Sequence, residues 1–348
     1  MTAKTVPAPT ESLEMDFDFH KELIGDEIEG IERINPNDFV KGPPGTEKKS
    51  WVNPDMDAMW EENYSKNKKY LQPCPTQDFH KKLYILVGSS PAVKRNIHFL
   101  HDIDDRFEVI ACNTTAKLLL EHGVNFKYVM SIEGGAHISP DFDFDSKDKV
   151  LIASPFVCPD AYEKWDGEKY TYFLSGGEKY KKAFERDWAG KVDIDIGGGN
   201  VLSAAYLWAY KYMNARHFAV IGMSLCYYDD NDYYFDGREK PNDPLGEWSK
   251  WLKALDMYGN IVTTTPPLLM YKQWLETYTK YAIQYGGGSF INSTEDGILG
   301  VLPKPIEADG LKVRFQPTYV PWMNIAPLYQ TIGAHKKRME DEQYDSGK

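Results

Sequence analysis

The chain of 348 residues contains four cysteines, Cys74, Cys112, Cys158 and Cys226, and no two of them form a C-x-x-C pair. That spacing excludes a zinc knot or a dithiol redox motif and predicts buried, reduced thiols. No stretch approaches the roughly 18 apolar residues of a membrane-spanning helix. The N-terminus opens on Thr, Lys, Pro and Glu, without the charged start and apolar run of a signal peptide, so a cytoplasmic location is expected. Acidic residues outnumber basic ones, 52 to 40, and the net charge of −12 is not offset by any local basic patch, which argues against nucleic acid and anionic membrane as partners. Neither G-x-G-x-x-G nor G-x-x-x-x-G-K-[ST] occurs, which disfavours a dehydrogenase or a P-loop kinase. No G-x-S-x-G or Cys–His pattern supports a nucleophilic hydrolase.

Aromatic residues are plentiful, with 23 Tyr and 9 Trp supplying half-polar rings able to line a cleft. Residues 1 to about 50 are rich in Pro, Glu, Asp and Lys without helical or strand period, and read as an arm. Asn53-Pro54 followed by Met59, Trp60 and Tyr64 predicts an N-capped packing helix to about Tyr70. From Lys82 short apolar runs alternate with helical segments, the pattern of βαβ units on a parallel sheet. Strands are predicted at Leu83 to Val87, Val109 to Cys112, Tyr128 to Ile132, Val150 to Ala153, Tyr172 to Leu174 and Phe218 to Ile221. Helices are predicted from Val201 to Tyr212 and from Pro267 to Tyr285, and the last 45 residues read as loops ending in a charged tail. The expected fold is α/β and Rossmann-like, a mostly parallel sheet with helices on both faces over residues 81–302. An N-terminal arm with one helix (1–80) and a C-terminal extension (303–348) complete it.

In such a sheet, ligands bind beyond the carboxyl ends of the strands, where loops meet helix N-termini. Small and hydrogen-bonding residues gather there: Gly88, Ser89 and Ser90 after the first strand, Asn113 and Thr114 after the second, Glu133 after the third. The loop Gly197-Gly198-Gly199-Asn200 opens the Val201 helix, and its glycines and free N–H groups make it the phosphate candidate. Glu133 is a candidate general base or Mg²⁺ ligand, balanced by its reading as a solvated turn cap. Asp229, Asp230, Asp232 and Asp236 form an acidic loop suited to a metal or an acceptor hydroxyl, or simply to water. Asn292 and Ser293 offer amide and hydroxyl groups for a base or sugar. D-x-D recurs along the chain, and only Asp193 and Asp195, just before the glycine loop, stand out. The run from Asp141 to Asp145 is no calcium loop, because Ser146 and Ile152 replace the required Gly and Glu. His98 and His101, one helical turn apart, read as a surface pair rather than a metal site.

Taken in order, Leu86-Val87-Gly88-Ser89-Ser90-Pro91, Ile110-Ala111-Cys112-Asn113, Val129-Met130-Ser131-Ile132-Glu133, Gly199-Asn200-Val201, Ile221-Gly222-Met223-Ser224-Leu225 and Ile291-Asn292-Ser293-Thr294 form a series. It resembles the motility accessory factor family of bacterial flagellin nonulosonic-acid transferases, whose domain is shared by archaeal 6-hydroxymethylpterin diphosphokinases. Similar blocks occur in bacterial sialyltransferases that use CMP-sialic acid, including a segment like Tyr233-Tyr234-Phe235-Asp236. The resemblance spans roughly Leu83 to Gly300. It implies a transfer from a nucleotide, with Gly88, Ser90 and Asn113 on the nucleotide, the loop from Gly198 to Val201 near phosphate, and Ser224 where the family usually has Asp. The chain departs from the sialyltransferases in having no histidine between His217 and His335.

Three functions follow as expectations. The first is a glycosyltransferase-like enzyme using a nucleotide-activated sugar, for instance CMP-linked, and a small-molecule or glycan acceptor. The second is an ATP- and Mg²⁺-dependent diphosphokinase acting on a pterin-like alcohol. The third is a non-catalytic nucleotide- or partner-binding protein on the same fold.

Overall fold

A computed structural model of the chain describes residues 54–174, 178–188, 192–195, 199–227, 234–235, 252–306 and 314–346. Eight parallel strands form the central sheet: β1 (Leu83–Val87), β2 (Phe107–Cys112), β3 (Tyr128–Ser131), β4 (Val150–Ala153), β5 (Glu168–Thr171), β6 (His217–Ile221), β9 (Ser289–Asn292) and β12 (Asn324–Ile325). Two antiparallel hairpins lie outside it, β7 (Leu252–Leu255) with β8 (Ile261–Thr264), and β10 (Val301–Ile306) with β11 (Arg314–Tyr319). The strand order is β12-β9-β6-β1-β2-β3-β4-β5.

The central strand β1 reads Leu-Tyr-Ile-Leu-Val with every residue buried, as a strand covered on both faces requires. Alternate side chains enter different cores, Tyr84 and Leu86 on one face, Leu83, Ile85 and Val87 on the other. The first face is covered by the helices Val201–Tyr212 and Pro266–Gly286, the second by Val93–Asn96, Asn113–Glu121, Asp160–Glu163 and Leu328–Ser346. In chain order the helices are α1 (Pro54–Asn67), α2 (Val93–Asn96), α3 (Asn113–Glu121), α4 (Asp160–Glu163), α5 (Glu178–Asp187), α6 (Val201–Tyr212), α7 (Pro266–Gly286) and α8 (Leu328–Ser346).

A third, smaller core of Phe156, Phe173, Tyr180 and Phe184 receives Trp60 and Tyr64 from α1. Two asparagines one turn apart fasten that helix to the domain. Asn63 Nδ2 donates to the carbonyls of Gly134 and Phe156, both at 2.9 Å, and Asn67 Nδ2 donates to those of Pro155 at 3.1 Å and Val157 at 2.8 Å. No helix among the described residues is long and apolar enough to cross a membrane.

Two sequence expectations are corrected. The fifth strand is the polar segment Glu168–Thr171, not Tyr172 to Leu174. It is the last strand of the sheet, paired with β4 and bridged on its outer side by Pro73 at Thr171, so polar residues suit it, while the apolar triplet that follows is buried as loop under α5 and α6. Over the last 45 residues, loops are expected and most of the described segment is ordered structure: the β10–β11 hairpin, β12 and the 19-residue helix α8. Leu328, Ile332 and His335 are buried at helical spacing along α8, a narrow apolar stripe in an otherwise charged segment.

Candidate active cleft

The chain runs outward from β1 in one direction through β2 to β5 and in the other through β6 and β9, so the sheet reverses between β1 and β6. Each of these two strands ends in a glycine. Gly88 N donates to Ile221 O at 2.9 Å and Ser90 N donates to Gly222 O at 3.0 Å. A Cβ on Gly88 would stand 2.4 Å from Gly222 O and 2.6 Å from Leu202 Cδ1, and one on Gly222, where φ is +68°, would stand 2.4 Å from Gly88 O. Backbone therefore passes backbone with no room for a side chain, and a cleft of about 420 Å³ opens above the pair.

Most of the sequence-predicted residues meet there. Gly88, Ser89, Ser90, Asn113, Thr114, Glu133, Gly199, Asn200 and Ser224 all line the cleft. Ser224 Oγ donates to Ser90 Oγ at 2.8 Å, joining the ends of β6 and β1 in its floor. Asn113 begins α3 and is buried, with Nδ2 donating to Asp141 Oδ2 at 2.7 Å, which fixes the orientation of its amide. Asp141 thus orients the Asn113 amide. Asn200 caps α6, accepting from Ser203 N at 2.9 Å, and its own Nδ2 is buried without a partner. Gly199, at φ +81°, carries the Tyr271 ring so close that a Cβ would meet Cε1 at 2.5 Å. Phe235 N donates to Ser89 O at 2.8 Å and brings Tyr234 to the rim. Next to Ser224, Leu225 adopts φ +57°, a left-handed conformation costly for a leucine.

Other candidates lie elsewhere. Asn292 and Ser293 do not reach the cleft: both are fully buried, Asn292 donating to Leu299 O at 3.0 Å and accepting from Thr294 N at 3.0 Å, Ser293 bonded to Thr331 at 3.1 Å. They shape the loop after β9. Asp195 is buried and bonded to Lys211 outside the cleft lining, and His98 and His101 are exposed on the 3₁₀ helix Ile97–Asp102. Gly197, Gly198, Asp229, Asp230, Asp232, Tyr233 and Asp236 lie outside the described residues.

Several lining residues come from elements whose docking no local pattern announces. Met56 and Trp60 reach in from α1, Tyr271 from α7, and His137 from the 3₁₀ helix Ala136–Phe142 that follows β3. The pair Asn63 and Asn67, amides one turn apart in a helix, is the signal that α1 is bonded to the domain.

No Lys or Arg lines the cleft among the described residues. The first residues of α3 and α6 line it, and helix N-termini favour an anion through their free N–H groups and dipole. Burial pushes the thiols of Cys112 and Cys226 up, away from the thiolate form. Glu133 is exposed, with Oε1 accepting from Gly135 N at 2.7 Å. Among the described residues no three His, Cys, Asp or Glu side chains gather as a metal site, so a Mg²⁺ ion here would rest on Glu133 and on ligand phosphate oxygens.

A more open hollow of about 600 Å³ lies at the amino ends of the strands, between Asp78, Lys82, Asp104 and Arg106. Asp78 pairs there with His80 and Asp104 with Arg106, and the hollow sits at the end of the sheet where helices present carbonyls.

Fold and cleft together define a doubly wound, Rossmann-like α/β protein with a pocket at its topological switch point. Residues 60–230 match the family model described as 6-hydroxymethylpterin diphosphokinase MptE-like. It is also similar in structure to the MAf glycosyltransferase from Magnetospirillum magneticum AMB-1, at 17% identity and a TM-score of 0.51, over 75% of this chain and 39% of that one. At that identity the likeness is one of fold, and this chain spans well under half of that protein. No curated protein matches the sequence.

Proposed function

We propose that the protein is a nucleotide-dependent transferase, of the glycosyltransferase type, whose donor occupies the switch-point cleft. The observation that carries this reading is the convergence of Ser90, Asn113, Asn200, Ser224 and Glu133, from five separate loops, on one cavity. The donor phosphate would lie over Gly88 and the α6 N-terminus, where only backbone fits and N–H groups are offered. Trp60, Tyr234 and Tyr271 are the rings available to a base or sugar. Catalysis would consist mainly of holding donor and acceptor in line and stabilising the departing phosphate. With no cation in the described lining, a leaving group with a single phosphate is favoured over a polyphosphate.

The family match supports a second reading, an ATP-dependent diphosphokinase acting on a heterocyclic alcohol. When bound, Mg²⁺ would neutralise the phosphates, and Glu133 is the side chain placed to hold it. A thermal-shift panel of CMP, CDP, UDP, GDP and ATP, each with and without Mg²⁺, separates the two. A ligand at 100 times its Kd adds about 2.7 kcal/mol of stability. A metal-independent cytidine response supports the first reading and a Mg²⁺-requiring ATP response the second. No response to any nucleotide refutes both and leaves a non-catalytic partner-binding protein.

A further inference from the structure

Transfer to an acceptor hydroxyl needs a group to remove the hydroxyl proton, and His137 is the imidazole in the cleft wall. It stands in the first turn after Gly134-Gly135 and is exposed. The loop that carries it is fixed from several sides. Glu133 O accepts from Cys158 N at 3.0 Å, Gly134 O accepts from Asn63 of α1 at 2.9 Å, and Gly135 N donates to Glu133 Oε1 at 2.7 Å. A Cβ placed on Gly135 would stand 2.5 Å from His137 Nδ1, 2.6 Å from its Cε1 and 3.2 Å from Glu133 Oε1. Imidazole and carboxylate therefore converge over one glycine, with Nε2 farther out from that backbone than Nδ1. An imidazole nitrogen can accept the proton of a hydroxyl placed against it, and His137 presents its ring to the cleft.

Building on the transferase reading, we propose that His137 is the proton-transfer residue of this cleft, with Glu133 beside it. As the acceptor oxygen bonds to the transferred carbon, its proton passes to a nitrogen of His137. The bond from that carbon to the nucleotide phosphate oxygen breaks, and the phosphate leaves with the electron pair. In transfer of a diphosphoryl group from ATP the same proton is removed, the new bond is P–O, and the bond from that phosphorus to the bridging oxygen of the nucleotide breaks, so that AMP leaves with the electron pair.

Two variants of the full-length chain test this, His137→Ala and Gly135→Ala. The second deletes nothing. Gly135 has φ −70° and ψ 139°, which alanine adopts, but its methyl must displace the ring. The probes are CMP-N-acetylneuraminic acid and ATP with Mg²⁺, with water as acceptor. Calorimetry with CMP and with ATP and Mg²⁺ should give both variants a Kd within about threefold of wild type. Nucleotide release should slow by about 100-fold or more. Added imidazole should restore part of the rate to His137→Ala only. Unchanged turnover in His137→Ala overturns the proposal, as does a loss confined to nucleotide affinity. In a wild type that binds but turns over neither probe, the ring signals of His137, identified by their loss in His137→Ala, should shift on saturation, and signals that stay fixed overturn it. Absence of any nucleotide binding in wild type sinks the transferase reading itself, a result distinct from normal binding with an indifferent His137.

Discussion

Replacing Gly88 by alanine tests the geometry of the cleft at its narrowest point. The added methyl would lie 2.4 Å from Gly222 O and 2.6 Å from Leu202 Cδ1. Leu202 can rotate, but the Gly222 carbonyl already accepts from Ser90 N at 3.0 Å and belongs to the backbone continuing the central strand β6. Relief therefore requires β1 and β6 to part at their ends, breaking that hydrogen bond and moving Ser90 away from Ser224. Overpacking of this kind costs about 1–3 kcal/mol. At roughly 2–4 °C per kcal/mol for a large domain, the melting temperature should fall by about 5 °C. The site should suffer more than the fold, because Ser89 and Ser90 move with the strand end. Differential scanning fluorimetry with and without saturating nucleotide reads both effects at once. A Gly88→Ala protein that melts within about 1 °C of wild type and keeps the full nucleotide shift would refute the close approach of the two strands as the basis of the cleft.

Three further outcomes follow from individual contacts. Asn200→Ala removes the α6 cap and should lower stability by about 1 kcal/mol in urea unfolding while weakening nucleotide binding; a cost to neither would separate this residue from helix and site. Lys272→Met strands the buried carboxylate of Glu276, which pairs with Lys272 at 2.7 Å and accepts from Gly300 N at 2.6 Å. The loss should be about 3–5 kcal/mol, and an unchanged urea midpoint would show the pair to be dispensable. Burial, then the Arg338 charge, holds His217 and His335 down to about 4. Unfolded histidine takes its proton near 6.5, so between about pH 6.5 and 4 the unfolded chain binds protons that the folded one refuses. Stability is then complete above that window and falls as pH drops through it, by about 1 kcal/mol per histidine after allowance for partial exposure. Urea midpoints at pH 7.5, 5.5 and 4.5 should decline in wild type and decline less in the double variant His217→Gln, His335→Gln.

Much of the fold was legible because it rests on short-range pattern. Leu83–Val87, Val150–Ala153 and Val201–Tyr212 fall where apolar runs and helical spacing put them. The fifth strand was misplaced because apolar character reports burial, and Tyr172, Phe173 and Leu174 are buried without belonging to the sheet. The C-terminal helix α8 was hidden by its charge, since a stripe of Leu328, Ile332 and His335 is enough to dock it. Of the residues that line the cleft, Ser90, Asn113 and Glu133 follow from strand-end position in a parallel sheet, Asn200 from the glycine loop that opens a helix, and Ser224 from the family resemblance. Asn292 also ends a strand, yet its side chain turns inward to Leu299, a choice made by tertiary packing. Trp60 and His137 were missed for the complementary reason, being brought in by the docking of α1 and by a glycine turn.

Crystal structures grown with CMP, and with ATP and Mg²⁺, would show whether the switch-point cleft holds the nucleotide. Phosphate density is expected over Gly88, between Ser90 and the N-terminal turn of α6, with the base or sugar against the cleft's aromatic rings. Nucleotide bound instead in the hollow beside Asp78 and Arg106, or a cleft that stays empty at saturating concentrations of both ligands, would contradict it.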